Sequence, residues 1–290
     1  MKEKYSETMK DYKVHGDVLI AGGAGFIGSH LVERIGGEVF DLRTGQDGLD
    51  FESVKSRVKG KEMVFHLANM PAHRLSVSSP REIIHNNYLT TLNFAEACRL
   101  FDVKIVFTSS FGVYGKKIPF REDSPISPET PYGVAKKASE ELLRVYHELY
   151  GLDMVVVRPS NVWGERDYLH EPLQVLPLWI KNVREGKELV VYGEKTTRDF
   201  THISDFLDGL LKASGQKGFE IFNIASGQET RLLDIATFLS DKVVVKPLPR
   251  YEVERWKGDI TKAREVLGWS PKKDFWEELK KYSGAALPSD

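Results

Sequence analysis

Tyr132 and Lys136 lie four residues apart in Pro131-Tyr132-Gly133-Val134-Ala135-Lys136. On a helix that spacing places both side chains on one face. A tyrosine titrates at roughly pH 10, so it serves as a base near neutrality only when a nearby cation stabilises its phenolate. Lys136 carries such a charge. A Tyr-x-x-x-Lys pair alone also occurs by accident on protein surfaces, so its meaning depends on its surroundings. Ser110, in the Ser109-Ser110 pair that follows an apolar run, is a third candidate. Its hydroxyl could hydrogen-bond a reacting hydroxyl or carbonyl, or simply cap a turn.

The surroundings are set near the start of the chain. The apolar run Val18-Leu19-Ile20 breaks into Gly22-Gly23-Ala24-Gly25-Phe26-Ile27-Gly28 and then resumes with helical character. This reads as strand, phosphate loop and helix. Gly22 permits the tight bend, Gly25 lets backbone N–H groups approach a pyrophosphate, and Gly28 allows close helix-on-strand packing. A pyrophosphate would sit at the helix N-terminus, where unpaired donors and the helix dipole favour an anion. A chain with 24 glycines contains some such spacings by chance, so the following strand matters. Glu38-Val39-Phe40-Asp41-Leu42 puts Asp41 about 20 residues past the first glycine, where a ribose-binding carboxylate belongs. Asp41 favours NAD because it would repel a 2′-phosphate; Arg43 beside it keeps NADP open. An oxidised nicotinamide would add a second positive charge near Tyr132.

These residues need a scaffold that brings them together. From 17 to about 165 the chain alternates apolar strands with helical stretches, which predicts a doubly wound parallel sheet of the Rossmann type. Strands are expected at 18–21, 38–41, 63–67, 104–108 and 154–157, and helices at 87–100 and 132–150. In such a sheet ligands gather at the carboxyl ends of the strands. His66-Leu67-Ala68-Asn69, Ser109 to Gly115 and Arg158 to Gly164 follow three of them. Residues 1–16 read as an N-terminal extension and 166–290 as a smaller, mixed α/β substrate-binding lobe. Ile221 to Ile224 is one more strand, able to return to the main sheet, and 280–290 could be a frayed end.

Composition narrows the partners. The chain has 290 residues, 41% of them hydrophobic, and a formal net charge of −1, so no general field attracts nucleic acid or anionic lipid. No run of about 18 apolar residues occurs, and Met1 to His15 lacks an apolar targeting core. No membrane partner is expected, and the cytoplasm is the default location. The one cysteine, Cys98, reads as a core residue and suits a reducing compartment. The eight histidines form no His-Glu-x-x-His pattern, so no metal is expected.

Together these motifs resemble the extended short-chain dehydrogenase/reductases of the nucleotide-sugar epimerase/dehydratase family, most like the UDP-glucose (galactose) 4-epimerases. The resemblance covers nearly the whole chain: it includes Val113-Tyr114-Gly115, Tyr192-Gly193, Arg198-Asp199-Phe200, Phe222 to Gly227 and Leu267 to Pro271. It implies NAD as cofactor, a UDP-hexose as substrate and a homodimer built on the helices near 87–100 and 132–150. It also implies that Asp50 and Phe51 contact adenine and that Ala68 and Asn69 line the nicotinamide ribose. Phe26, Ile27, Leu42, Leu67, Asn87, Thr108 and Arg158 complete the implied cofactor set. Asn161, Tyr192 and Arg198 would hold the substrate, with Arg198 on the diphosphate. A second phosphate-binding arginine is expected, for which Arg250 and Arg255 compete.

Some positions depart from the family pattern. Thr90 replaces a usual glycine, Trp163 a usual tyrosine, and Pro71 a lysine found in some epimerases. Phe111-Gly112 stands where sugar 4,6-dehydratases carry an Asp-Glu pair, and where decarboxylases usually keep a glutamate. The expected reaction is therefore NAD-dependent epimerisation at C4 through a 4-keto sugar. The alternatives are a reductase, dehydrogenase or dehydratase on the same scaffold, and a non-catalytic dinucleotide sensor.

Overall fold

The structure, a computed structural model, describes residues 17–70, 73–167 and 174–286. The proposed extension 1–16, Pro71 and the last four residues of the expected frayed end lie outside the described residues. The first half reads β1 (Val18–Ala21), α1 (Phe26–Ile35), β2 (Glu38–Phe40), α2 (Phe51–Val58), β3 (Met63–His66), α3 (His73–Ser78), α4 (Pro80–Phe101), β4 (Lys104–Thr108), α5 (Pro131–Tyr150) and β5 (Met154–Pro159). After it come β6 (Asn161–Trp163), α6 (Val175–Arg184), β7 (Leu189–Tyr192), β8 (Thr197–Arg198), β9 (Phe200–His202), α7 (Ile203–Ser214), β10 (Phe219–Ile224), β11 (Thr230–Arg231), α8 (Leu232–Leu239), β12 (Val243–Lys246), α9 (Thr261–Leu267) and α10 (Phe275–Ala286).

Six parallel strands form the main sheet in the order β10-β5-β4-β3-β1-β2. The chain reverses direction across the sheet beside β1 and β3, where α/β folds open a crevice for ligands. Strand alternation explains why both faces are apolar. Val18, Ile20, Val106, Val155 and Val157 enter one core cluster, while Leu19, Ala21, Ile105, Phe107, Met154 and Val156 enter the other. Cys98 is buried in the second cluster as a free thiol. A third cluster joins Trp163, Trp179, Ile180, Leu189 and Val191 to α8 and α10.

The expected strand at 221–224 is longer and pairs with β5, so this late segment completes the first sheet. Short two-stranded pairs, β12 with β7, β11 with β8 and β6 with β9, make up the strands of the remainder. The last helix reaches Ala286 rather than fraying from residue 280. No helix among the described residues is long and apolar enough to cross a membrane.

Candidate active site

A cavity of about 950 Å³ opens along the carboxyl edge of the sheet. Its first wall is the glycine turn. Gly22 leaves β1 with φ +83°, and a Cβ there would lie 2.7 Å from the Ala68 backbone nitrogen. At Gly28 a Cβ would come within 2.0 Å of the Gly22 carbonyl oxygen, so only hydrogen fits where α1 crosses the turn. Gly25 is the N-cap of α1 and makes no side-chain cap, which leaves the first-turn N–H groups to a ligand. Gly22, Gly25, Phe26, Ile27 and Gly28 all line the cavity.

Asp41 follows β2. Its carboxylate accepts from the Ala24 N–H at 3.0 Å and the Arg43 N–H at 2.9 Å, tying the strand end to the glycine turn. The Arg43 guanidinium donates to the Ala24 carbonyl at 2.9 Å. Asp41, Leu42 and Arg43 line this end of the cavity, as do Leu67, Ala68, Asn69, Asn87 and Thr108 farther along. Asn87 holds the turn after β3 by accepting from the Met70 N–H at 2.8 Å. Thr108 Oγ1 and Asn69 Oδ1 are buried without a hydrogen-bond partner. Buried polar atoms of this kind call for a ligand. With the glycine cradle and Asp41, they fit a dinucleotide.

The chemistry-bearing trio converges farther along. Thr130 caps α5 by accepting from the Gly133 N–H at 3.3 Å, and Pro131 fills the first helical position. A Cβ on Gly133 would lie 2.3 Å from the Gly112 carbonyl oxygen, so the start of α5 rests on the turn that carries Ser110. Ser110 Oγ accepts from the Gly112 N–H at 3.0 Å. Ser110 and Asn69 both hydrogen-bond the Tyr132 phenol, with Asn69 Nδ2 donating at 3.4 Å. One turn on, Lys136 Nζ donates to the Thr108 carbonyl at 2.7 Å and stands 6.0 Å from the Tyr132 ring centroid. Burial pushes Tyr132 up to about 12, against its bonds to Ser110 and Asn69. Burial also pushes Lys136 down to about 7, against the nearby Glu140 carboxylate.

At the other end Asn161, Tyr192 and Arg198 line the cavity. Asn161 Nδ2 donates to the Asp199 carbonyl at 3.0 Å. Asp199 itself accepts from the N–H groups of Ser226, Gly227 and Gly258, clamping the 226–227 and 258 segments behind Arg198.

Other sequence-derived candidates are placed elsewhere. Arg158 is buried: it forms a bidentate pair with Glu140 at 2.9 and 2.6 Å and donates to the Tyr114 hydroxyl at 2.8 Å. It therefore reaches the trio through Glu140 and lines no part of the cavity. Asp50 spends its carboxylate capping α2, and Phe51 packs into the core; the neighbouring Asp47, Gly48 and Leu49 line the cavity instead. Neither Arg250 nor Arg255 lines it, and Arg255 pairs with Glu229 at 2.7 Å. Tyr251, Glu252 and Trp256, which sequence reasoning missed, take those places. They sit in a connecting segment without periodicity, so only their nearness to the expected arginines signalled them. Trp163 is a core residue against His202 and Tyr282, and Thr90 lines the cavity beside Gly48.

Comparison with known proteins places this geometry among relatives. A family model described as the NAD dependent epimerase/dehydratase family matches residues 18–225. A UDP-glucose 4-epimerase of Mycolicibacterium smegmatis is 32% identical over 300 residues, covering 91% of this chain and 96% of that protein. A UDP-N-acetyl-alpha-D-glucosaminuronate decarboxylase of Bacillus cytotoxicus is 30% identical over 308 residues, covering 90% and 95%. Among solved structures, the UDP-glucose 4-epimerase of Thermotoga maritima with UDP-glucose superposes with a TM-score of 0.85 at 28% identity, covering 92% of this chain and 97% of that one. Other structures of this fold contain NAD.

Proposed function

The chain belongs to the NAD-dependent epimerase/dehydratase family, and we propose that it inverts C4 of a UDP-hexose of the glucose/galactose type through a transient 4-keto sugar. The observation that carries this reading is the residue pair after Ser110. Phe111 is 1% exposed and packs edge-on against Tyr114 and Phe120, and Gly112 has no side chain. Neither can donate or remove the extra protons that dehydration requires. Epimerisation at C4 needs one acid/base group there, and Tyr132 supplies it.

The glycine turn, Asp41 and residues 67–69 would hold NAD, which supplies hydride acceptance and return. Tyr132 takes the C4 hydroxyl proton and gives it back, while Ser110 hydrogen-bonds the same oxygen. Lys136, one helical turn below, stabilises the phenolate. Arg198 grips the diphosphate with its planar fork of donors, and Asn161 sits beside it. The sugar itself is left free to turn and present its other face.

Leu100, Val134, Leu149 and Tyr150 are exposed on α4 and α5, which supports a homodimer through these helices. The activity test is to incubate the protein with NAD and UDP-galactose and resolve the products chromatographically. UDP-glucose is expected from the native chain, with a rate about 10²- to 10⁴-fold lower for Tyr132→Phe. A Tyr132→Phe protein of undiminished rate would remove the assignment.

A further inference from the structure

The Arg198 guanidinium is already engaged. Nη1 donates to the carbonyls of Thr197 and Val253 at 2.8 and 2.9 Å, Nη2 donates to Glu252 Oε2 at 2.8 Å, and the Trp256 ring centroid lies 5.4 Å away. Glu252 and Trp256 line the same cavity. The neighbouring Arg250 and Arg255 do not, so beyond the glycine-turn end the described lining presents one arginine with a carboxylate on it.

A largely buried guanidinium without an anion is strongly disfavoured, and Glu252 satisfies it in the ligand-free protein. A diphosphate oxygen on this guanidinium would lie beside the Glu252 carboxylate held by Nη2, and two anions side by side repel. On the reading that Arg198 meets the substrate's diphosphate, we propose that Glu252 competes with that diphosphate for the Arg198 guanidinium and so holds down the affinity for diphosphate ligands. A diphosphate brings more negative charge than one carboxylate and displaces it. A ligand without phosphate leaves the pair intact and gains nothing from Arg198. The Glu252 side chain keeps 18% of its surface exposed, so the displaced carboxylate moves toward water. Such an exchange costs affinity only for ligands that carry a phosphate.

Calorimetric titration of the NAD-loaded protein with UDP and with uridine tests this. Native protein is expected to bind UDP tighter than uridine. Glu252→Gln keeps the shape and an acceptor oxygen for Nη2 while removing the charge. It is expected to tighten UDP about three- to tenfold and to leave uridine within about twofold. Glu252→Asp, which keeps the charge, should bind UDP as the native protein does. UDP affinity unchanged or weakened in Glu252→Gln would overturn the competition, and weakening of both ligands would make Glu252 a nucleoside contact instead. If native protein binds UDP no tighter than uridine, the assignment of Arg198 fails, and the inference fails with it.

Discussion

At the scale of single residues, burial drives Tyr132 and Lys136 toward their neutral forms. Tyr132 is pushed up to about 12 and Lys136 down to about 7, because a low-dielectric surrounding penalises either charge. Without cofactor, Tyr132 is therefore a phenol at neutral pH, and burial weakens the hold of Lys136 on its proton. Lys136 and the positive nicotinamide of a bound NAD would together bring the phenolate within reach. The tyrosinate absorbance difference between native protein and Tyr132→Phe should show no ionisation below about pH 10 without NAD, and a lower midpoint with it. An ionisation near neutrality in the cofactor-free protein would contradict this. Catalytic turnover should fall as pH drops through the lowered Tyr132 value, since protonation removes the base. The placing of Tyr132 and Lys136 together was legible because one helical turn sets it, whereas Ser110 joins them only through the packing of α5 on the turn after β4. Arg158 was harder. Its place in Arg158-Pro159-Ser160-Asn161 matches the family motif, whereas the alternation of β5 puts it on the same face as Met154 and Val156, toward Glu140 of α5. Register parity was the signal that the motif obscured.

At the scale of elements, the glycine turn and the start of α5 fix the site, and both do so by excluding side chains. Gly28→Ala would drive a methyl into the Gly22 carbonyl oxygen, a backbone atom that cannot yield cheaply. That substitution should cost about 2–4 kcal/mol in stability and weaken NAD binding at least about tenfold. Thermal denaturation and a cofactor titration read both effects, and native values for the pair would contradict the packing argument. The strands of the main sheet were legible to within a residue or two, because strands covered on both faces are continuous apolar runs. By contrast α4 begins at Pro80, seven residues before the expected Asn87. Its first turns carry Arg81, Glu82, His85 and Asn86, which leave little apolar periodicity to read. The two-residue strands β8 and β11 were invisible, since tertiary pairing alone makes them strands. The segment 251–256 lies in no helix or strand, so its cavity-lining residues could not be read from periodicity.

At the scale of the whole molecule, one cavity spans the sheet edge and the later segments, so a cofactor and a nucleotide sugar can meet over Tyr132. The exposed apolar residues of α4 and α5 predict that light scattering will give twice the 32.9 kDa chain mass. A strictly monomeric mass would remove the proposed pairing. The path of the hydride is followed most directly by a label at C4. When UDP-galactose carrying deuterium at C4 is incubated with the protein and NAD, the UDP-glucose formed should retain that deuterium at C4, with no net NADH. Deuterium lost from C4 into accumulating reduced cofactor, or a deoxy-keto product carrying solvent hydrogen at C5, would contradict the account.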